Sequence, residues 1–366
     1  MSNRDKPRIL YIMGIDWDWI FQRPQIIEQH LEKDNNVTVV FPRSILKLLK
    51  RRHLNYPERY RILWTLPLQE KIKAIGAVHR LLNRHVFRDI REHETTVIGF
   101  PLYYRYIPRD YSGTLIYDCM DNHESLYSYY AGVPELLRQE KLLMARSHLV
   151  FVSSQRLMEK LQRYDICPMP RMVLLRNGAK YPSKLPSIAQ PVRPEVSQMP
   201  YKIGYIGTVA EWFDRDLILE SLRQIRDIEY HLIGPVNITL PQHESRLIME
   251  GIVSHEHLYD TVGVCVCLVM PFKVNETVLY VDPVKLYEYI VMGKCILSVF
   301  YPEIERFEDF VYFYHSTWEY IQLLQQLKKQ GFPPKYTSRQ RQDFLVKNSW
   351  DARFDIWDNA VKDLRQ

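Results

Sequence analysis

Two residues near the start of a predicted helix have types and spacing that suit nucleotide binding. The helix is predicted over residues 284–292, with Lys285 in its first turn and Glu288 at i+3 on the same face. Exposed backbone N–H groups and the helix dipole favour a phosphate beside Lys285. Glu288 could accept hydrogen bonds from two ribose hydroxyls. The alternative is an ordinary surface Lys–Glu pair on an amphipathic helix.

This helix is predicted to lie between two parallel strands. Apolar runs at 262–270 and 295–299 predict buried strands on either side of it. Asp282 and Pro283 predict its start, as an N-cap acid followed by proline at the first helical position, and a glycine follows its end. Strand, loop, helix and strand form one βαβ unit, and sheets of such units bind ligands at the carboxyl ends of their strands.

Two further polar clusters follow predicted strands in the first half of the chain. The stretch 121–124, Asp-Asn-His-Glu, comes after the strand 115–118, where α/β folds place catalytic groups. The loop 14–25 contains Asp16, Trp17, Asp18, Trp19 and Arg23. Aromatic rings interleaved with acids and an arginine suit carbohydrate binding. The alternatives are that Asp121 caps the next helix and that the two tryptophans pack in the core.

Residues 43–91 are strongly basic. They contain thirteen Lys and Arg against three acids, a net charge of +10 in a chain whose total is +6. Apolar residues such as Leu46, Trp64 and Leu68 lie beside the charges, as in segments that bind anionic membranes. Nucleic acid is the competing partner, but no nucleic-acid motif accompanies the segment. We expect a membrane surface and no nucleic acid; a merely solvated basic face is the remaining alternative.

The whole chain has the composition of a globular protein of two domains. It has 366 residues, 46% hydrophobic and 25% charged. Its five cysteines form no paired framework, which favours reduced thiols in a cytosolic protein without a metal site. No signal peptide and no membrane-spanning run is expected. Strands and helices alternate, which predicts an α/β fold. The predicted strands are 8–14, 37–41, 96–100, 115–118, 149–152, 173–175, 202–206, 230–233, 262–270, 295–299 and 310–314.

Three stretches resemble one enzyme class. The sequence PFKVNETVLYVDPVKLYEYIVMGKCILS (271–298) is similar to the donor-nucleotide segment of GT-B glycosyltransferases, particularly the retaining family 4 and related bacterial polysaccharide enzymes of the teichuronic-acid type. GIDWDWIFQRPQ (14–25) and YDCMD (117–121) resemble the same bacterial subset. The resemblance implies a GT-B fold, which is α/β with two facing Rossmann-like domains and a cleft between them.

The resemblance also implies roles for residues of the second half. Lys285 would contact the donor pyrophosphate, Glu288 the ribose, and the loop at Gly207 and Thr208 the phosphates. Tyr280 departs from the pattern, because many family 4 enzymes have a second glutamate there. The sugar contacts would then come from the preceding loop, with Asn275, Glu276 and Thr277 as candidates.

On the acceptor side, the resemblance implies that Asp121 polarises or deprotonates the acceptor hydroxyl. His123 is the second candidate, since histidine does such work near neutral pH. Asp16, Trp17 and Arg23 would border the acceptor.

The function expected is transfer of a sugar from a nucleotide-diphosphate sugar, most simply a UDP-sugar, to a lipid-linked saccharide in cell-surface polysaccharide synthesis. No metal or other cofactor is expected, and the protein would lie at the inner face of the cell membrane. The alternatives are a non-catalytic nucleotide-sugar-binding or membrane-scaffold protein, and another activity of the same fold.

The expected domains are 1–180 on the acceptor side, completed by a C-terminal helix at about 350–366, and 200–349 for the donor. The proline-rich residues 181–199 would link them.

Overall fold

The chain divides into two compact units. A computed structural model describes residues 6–50, 56–127, 132–182, 185–191, 200–241, 243–253 and 255–364. The first unit contains residues 1–176 and 354–366, and the second contains 177–353. The predicted boundaries are at 180 and near 350.

The first unit is built on a seven-stranded parallel sheet with the order β3-β2-β1-β4-β5-β6-β7. Its strands are β1 Arg8–Ile12, β2 Asn36–Ser44, β3 Tyr60–Thr65, β4 Thr95–Ile98, β5 Thr114–Cys119, β6 Leu149–Val152 and β7 Arg171–Leu174. Its helices are α1 Arg23–Asp34, α2 Lys73–Asn83, α3 His123–Leu126, α4 Val133–Arg146 and α5 Gln155–Gln162. The order reverses between β1 and β4, which makes their carboxyl ends the switch point of the sheet.

The second unit is built on a six-stranded parallel sheet with the order β10-β9-β8-β11-β12-β13. Its strands are β8 Tyr201–Ile206, β9 Ile228–Ile233, β10 Leu247–Gly251, β11 Cys267–Met270, β12 Cys295–Val299 and β13 Tyr312–Tyr314. Its helices are α6 Arg215–Gln224, α7 His255–Gly263, α8 Val284–Met292, α9 Thr317–Gln330 and α10 Ser338–Lys347. The last helix, α11, spans Trp350–Asp363. Here the switch point lies between β8 and β11, whose following loops carry most of the predicted donor residues.

The predicted strand 262–270 is too long. Helix α7 continues to Gly263, and only Cys267–Met270 is extended. Two residues before Cys267 are buried without belonging to the strand: Val262 packs from the helix and Cys265 from the turn after it, whereas Val264 between them is exposed. A short apolar run does not distinguish a buried helix end from a strand, and tertiary packing decided the boundary.

Asp282 does not cap α8, contrary to the prediction. The residue before the helix is Pro283, which makes no side-chain cap. The buried carboxylate of Asp282 instead accepts hydrogen bonds from the Asn177 N–H at 2.5 Å, from the Tyr287 hydroxyl at 3.1 Å and from Arg306. A buried carboxylate requires several donors, and these three satisfy it where a single helix N–H would not.

The described part of the predicted linker is packed against the second unit. Ala189 N–H donates a hydrogen bond to the Gly293 carbonyl at 2.9 Å, and Arg341 Nη2 donates to the Pro186 carbonyl at 2.8 Å. Prolines and polar residues therefore mark a structured segment over 185–191. Within the described ranges, no helix combines the length and the apolar character needed to cross a bilayer.

Candidate functional site

The turn after β8 lies directly against Lys285. Gly207 has φ +133°, and a Cβ built on it would lie 2.3 Å from Cε and 2.7 Å from Nζ of Lys285. A Cβ on Gly234, which follows β9, would lie 2.4 Å from the Gly207 carbonyl oxygen. Glycine is therefore required twice for backbone and lysine to come this close. The structure brings together Gly207 and Lys285, two of the predicted donor-binding residues.

Lys285 is a cation without a carboxylate partner at contact distance. Its Nζ lies 5.8 Å from the ring centroid of Tyr205 and 5.6 Å from that of Phe272. Within the part of the chain that the structure describes, it makes no salt bridge. Burial lowers the pKa of Lys285, and the charge of Glu288 partly offsets that effect. An anion bound at Nζ would supply the negatively charged partner that Lys285 lacks among the described residues.

The helix start provides a second attraction for an anion. Pro283 precedes α8 and has no side chain that could cap it, so the first-turn N–H groups receive no cap from that residue. These groups and the positive end of the helix dipole lie in the turn that carries Lys285. Lysine, helix N-terminus and glycine turn together form a candidate anion site, because each of these features attracts negative charge.

Glu288 lies one turn further along α8 and is half-buried. Burial raises the pKa of its carboxyl group, and Lys285 partly opposes the shift. No hydrogen bond to its carboxylate occurs among the described residues. The carboxylate is therefore available to accept hydrogen bonds from a ligand's hydroxyl groups, and its role toward a ribose stays a prediction.

The other predicted donor residues are engaged in local structure. Asn275 Oδ1 accepts hydrogen bonds from the N–H groups of Thr277 and Val278, each at 3.0 Å, and so caps the short turn that follows. The Thr208 carbonyl accepts a hydrogen bond from the Tyr205 hydroxyl at 2.9 Å. Neither Asn275 nor Thr277 forms a hydrogen bond with Lys285 or Glu288.

In the first unit, the candidate base Asp121 has a carboxyl group whose pKa is shifted toward neutrality. It follows β5, and no hydrogen bond to its carboxylate occurs among the described residues. Burial raises the pKa of Asp121 to about 7; the charge of Arg23 opposes this and that of Asp118 reinforces it. A carboxyl group with this pKa exchanges a proton near neutral pH, where general-base catalysis is most effective.

His123 is a weaker candidate. Burial and, to a smaller extent, Lys160 lower the pKa of His123 to about 3. Its Nε2 is buried without a hydrogen-bond partner among the described residues, and its ring lies edge-on to Phe100 at 5.3 Å. The imidazole is neutral at physiological pH and holds a proton too weakly to serve as the base.

Arg23 is a buried positioning residue. Its Nη2 donates to Asp118 Oδ1 at 2.6 Å, and its Nη1 donates to the Leu175 carbonyl at 2.7 Å. Both Arg23 and Asp118 are almost completely buried. Sequence reasoning missed Asp118, although a carboxylate inside an apolar strand, as in YDCMD, signals a buried ion pair. The charges of this pair act on the pKa of Asp121: Arg23 lowers it and Asp118 raises it.

The loop after β1 is also locked by ion pairs. Asp16 accepts hydrogen bonds from Arg43 and Lys47, both at 2.7 Å. Burial would raise the pKa of Asp16, but these two hydrogen bonds lower it below its usual range. Trp17 packs edge-on against Tyr60 with ring centroids 4.7 Å apart, whereas Trp19 is 55% exposed. The core alternative therefore describes Trp17 in part and is wrong for Trp19.

No cluster of metal ligands accompanies these sites. Across the described ranges, there is no group of three or more His, Cys, Asp or Glu side chains placed to hold a metal ion.

Comparisons with known proteins identify the fold. No protein-family model and no curated protein matches the chain. Sucrose-phosphate synthase from Thermosynechococcus elongatus is similar in structure, with a TM-score of 0.70 and 12% identity over 98% of this chain and 99% of that one. Anabaena Alr3699/HepE, solved with UDP and glucose, has a TM-score of 0.67 and 12% identity over 98% and 100%. An E. coli structure described as trehalose-6-phosphate bound with UDP-2-fluoro glucose has a TM-score of 0.65 and 9% identity over 98% and 99%.

Identities this low establish the fold alone. They confirm the expected fold class, α/β with the two Rossmann-like domains of the GT-B type, here built on parallel sheets of seven and six strands.

Proposed function

We propose that this protein is a glycosyltransferase that moves a sugar from a nucleoside-diphosphate sugar to a hydroxyl group of a saccharide acceptor. The observation that carries the proposal is Lys285, a partly desolvated cation held against the Gly207 turn at the switch point of a parallel sheet. Desolvating an ammonium group costs free energy, so an uncompensated one next to bare backbone indicates a strongly charged ligand.

The donor is assigned to the second unit. Lys285, the N-terminus of α8 and the turn at Gly207 and Thr208 would bind the diphosphate, and Glu288 would accept hydrogen bonds from the ribose. When the bond between the anomeric carbon and the phosphate oxygen breaks, negative charge grows on the leaving diphosphate. A cation already placed there stabilises that charge without further reorganisation. Asn275 and Thr277 remain candidates for contacts to the sugar.

A uridine nucleotide is the donor that the comparisons favour. The Anabaena protein was solved with UDP and the E. coli structure with UDP-2-fluoro glucose. Both are similar in fold only, so the base is part of the proposal. No metal or other cofactor is required by this scheme, because Lys285 and the helix dipole supply the positive charge at the diphosphate.

Asp121 is assigned to the acceptor. Its carboxylate would take the proton of the acceptor hydroxyl as that oxygen forms its bond to the anomeric carbon. His123 is assigned a neutral packing role beside it, and Asp16, Trp17 and Arg23 border the same loops. Because the Asp16 carboxylate and the Arg23 guanidinium are already bonded within the protein, Trp17 is the acceptor-side residue of this set whose side chain can add contact area for a sugar.

The acceptor is assigned to a membrane. We infer that the protein works as a family 4-like enzyme of bacterial cell-surface polysaccharide synthesis, on a lipid-linked saccharide at the cytoplasmic face. The support is the basic segment 43–91 with its exposed apolar residues. The second candidate is a non-catalytic nucleotide-sugar-binding or scaffold protein, which Tyr280 favours because it replaces an acid that many family 4 enzymes have.

Thermal unfolding with UDP, GDP, dTDP and ATP tests the donor assignment. A ligand present at about 100 times its Kd should add about 2.7 kcal/mol to the free energy of unfolding. We expect this shift with one diphosphate, UDP first, and its loss in Lys285→Ala. Lys273→Ala is the matched control, because Lys273 is an exposed lysine of the loop before α8. An equal shift in Lys285→Ala, or none with any nucleotide, contradicts the donor site.

Sugar transfer separates the two candidates. A UDP-sugar and an isolated bacterial membrane fraction should yield labelled product with the wild type and not with Asp121→Asn. Nucleotide binding that depends on Lys285 together with no transfer in either protein would favour the non-catalytic candidate.

A further inference from the structure

Helix α2 of the first unit buries a polar side and exposes an apolar one. Its buried residues are Gly76, His79 and Asn83, which are small or polar. On the opposite side of the helix, Val78 is 58% exposed and Leu81 is 66% exposed. An ordinary surface helix buries its apolar stripe and exposes its polar one. The helix therefore has an apolar face that the unit itself does not cover.

Polar contacts hold α2 in this orientation. Asn83 Oδ1 accepts a hydrogen bond from the Trp64 N–H at 2.8 Å, and Asn83 Nδ2 donates to the Trp64 carbonyl at 2.9 Å. The ring of His79 is hydrogen-bonded through Nδ1 to the Tyr106 hydroxyl at 3.2 Å. A Cβ on Gly76 would lie 2.8 Å from the Gln69 carbonyl oxygen, so the helix approaches its own preceding turn closely. None of these contacts uses the apolar side.

We call the uncovered side the outward face of α2. It consists of the exposed residues Ala74, Ala77, Val78, Leu81 and Leu82. Just before it, Leu68 is also exposed, in a turn with φ +61°. Soluble proteins rarely keep several large apolar residues together in water, and such a patch marks an interaction surface.

Charge identifies what the outward face binds. Residues 71–88 contain five Lys and Arg and no acid. All five, namely Lys71, Lys73, Arg80, Arg84 and Arg88, are exposed and form no ion pair with any residue that the structure describes.

Three earlier cations of the basic segment, within the described residues, are neutralised instead. Arg43 is paired with Asp16 at 2.7 Å, Arg59 with Glu32 at 2.7 Å, and Arg61 with Asp89 at 2.6 Å. Among the residues of 43–91 that the structure describes, the unpaired positive charge is therefore carried by α2 and the residues next to it.

We infer that α2 docks the protein on an anionic lipid bilayer, with its outward face among the acyl chains and its cations at the headgroup phosphates. An apolar stripe flanked by unpaired Lys and Arg is the arrangement of interfacial helices. Nucleic acid would attract the cations, but its phosphate backbone would not bury the exposed leucine and valine side chains. An acidic protein or a second copy of this chain is the competing occupant. This inference rests on the proposed function for its purpose, since docking brings the enzyme to a membrane-bound acceptor.

Co-sedimentation with vesicles tests the docking surface. The full-length protein is mixed with vesicles of phosphatidylcholine alone and of phosphatidylcholine with phosphatidylglycerol. We expect binding to the anionic vesicles only. Arg80→Gln and Arg84→Gln should each weaken it about fivefold, and the double variant Val78→Ser/Leu81→Ser about tenfold or more. Trp318→Ser is the matched control, because Trp318 is 70% exposed on α9 of the other unit.

The outcomes separate this inference from the proposed function. Equal binding to both vesicle types, no binding, or unchanged binding by Val78→Ser/Leu81→Ser would overturn the docking surface. Loss of a dimer in that variant, measured by light scattering, would also overturn it and assign the face to a second copy. The UDP-dependent thermal shift is measured on the same samples; it reports the nucleotide site and stays unchanged whichever way the vesicle experiment falls.

Discussion

Gly207 and Lys285 are packed so closely that no side chain fits between them. A Cβ on Gly207 would lie within 2.7 Å of the lysine ammonium nitrogen, and the glycine has φ +133°, which L side chains rarely adopt. The turn after β8 and the first turn of α8 thus place the Gly207 backbone and the Lys285 ammonium group side by side. The two residues together locate the candidate phosphate site more closely than either residue alone.

Gly207→Ala is expected to damage the nucleotide site and the fold together. The new methyl group must push Lys285 away, and the backbone must hold a conformation that costs about 1–3 kcal/mol for a residue other than glycine. We expect a lower free energy of unfolding by about that amount, and a loss of the UDP-dependent thermal shift. Gly263→Ala is the control, because a Cβ there would meet nothing within 4 Å. Retention of the full UDP shift in Gly207→Ala would show that the contact is dispensable.

Transfer activity should depend on pH through Asp121. Its pKa is raised to about 7, so the active carboxylate forms as pH rises, and kcat should increase through pH 7 and level off above it. Asp121→Asn should lower kcat about 10²–10⁴-fold and remove this dependence, while UDP binding is kept. If His123 were the base instead, kcat would not change from pH 5 to 8, because the pKa of His123 is about 3.

The same carboxyl group should make stability depend on pH in the direction opposite to the usual one. In the unfolded chain an aspartate titrates near pH 3.9, whereas Asp121 in the fold titrates near 7. Between those values the folded state binds more protons, so its contribution to stability is present below about pH 4 and is lost as pH rises through 7. Asp121→Asn avoids this loss and should be more stable than the wild type at pH 8, by up to about 4 kcal/mol.

The two proteins should differ little at pH 4, which supplies the internal reference. Denaturant unfolding at pH 4, 6 and 8 measures the effect. A stability difference that is constant with pH would mean that the substitution acts through packing and that the pKa of Asp121 is close to its unfolded value.

Removing the charge of Arg23 should act on both stability and activity. Arg23→Met leaves Asp118 buried without its partner, which costs about 3–5 kcal/mol. It also removes the charge that holds the pKa of Asp121 down, so the midpoint of the activity profile should move above pH 7. A purely structural role would lower stability and leave that midpoint in place. The double variant Arg23→Met/Asp118→Asn should recover much of the lost stability, because no buried charge is left unpaired.

Local sequence patterns predicted a large part of the fold and singled out two neighbouring residues of the candidate nucleotide site. The alternation of apolar strands with helices was enough for the α/β class, and the spacing of Lys285 and Glu288 placed both on one helix face. Two strands went unpredicted, β3 and β10. Both lie at a sheet edge, β3 within the basic segment, and edge strands carry weaker apolar patterns than central ones because one side meets solvent.

Only the tertiary structure decided which charged groups are free. Asp282 was predicted to cap a helix and is a buried acceptor for three donors. Arg23 was predicted to border the acceptor, and its guanidinium group is buried in an ion pair with Asp118. The composition of the sequence shows the basic segment, but it does not show which of its cations form ion pairs. Burial and ion pairing are set by contacts between residues far apart in the chain, such as Arg23 with Asp118, and a local pattern contains no information about them.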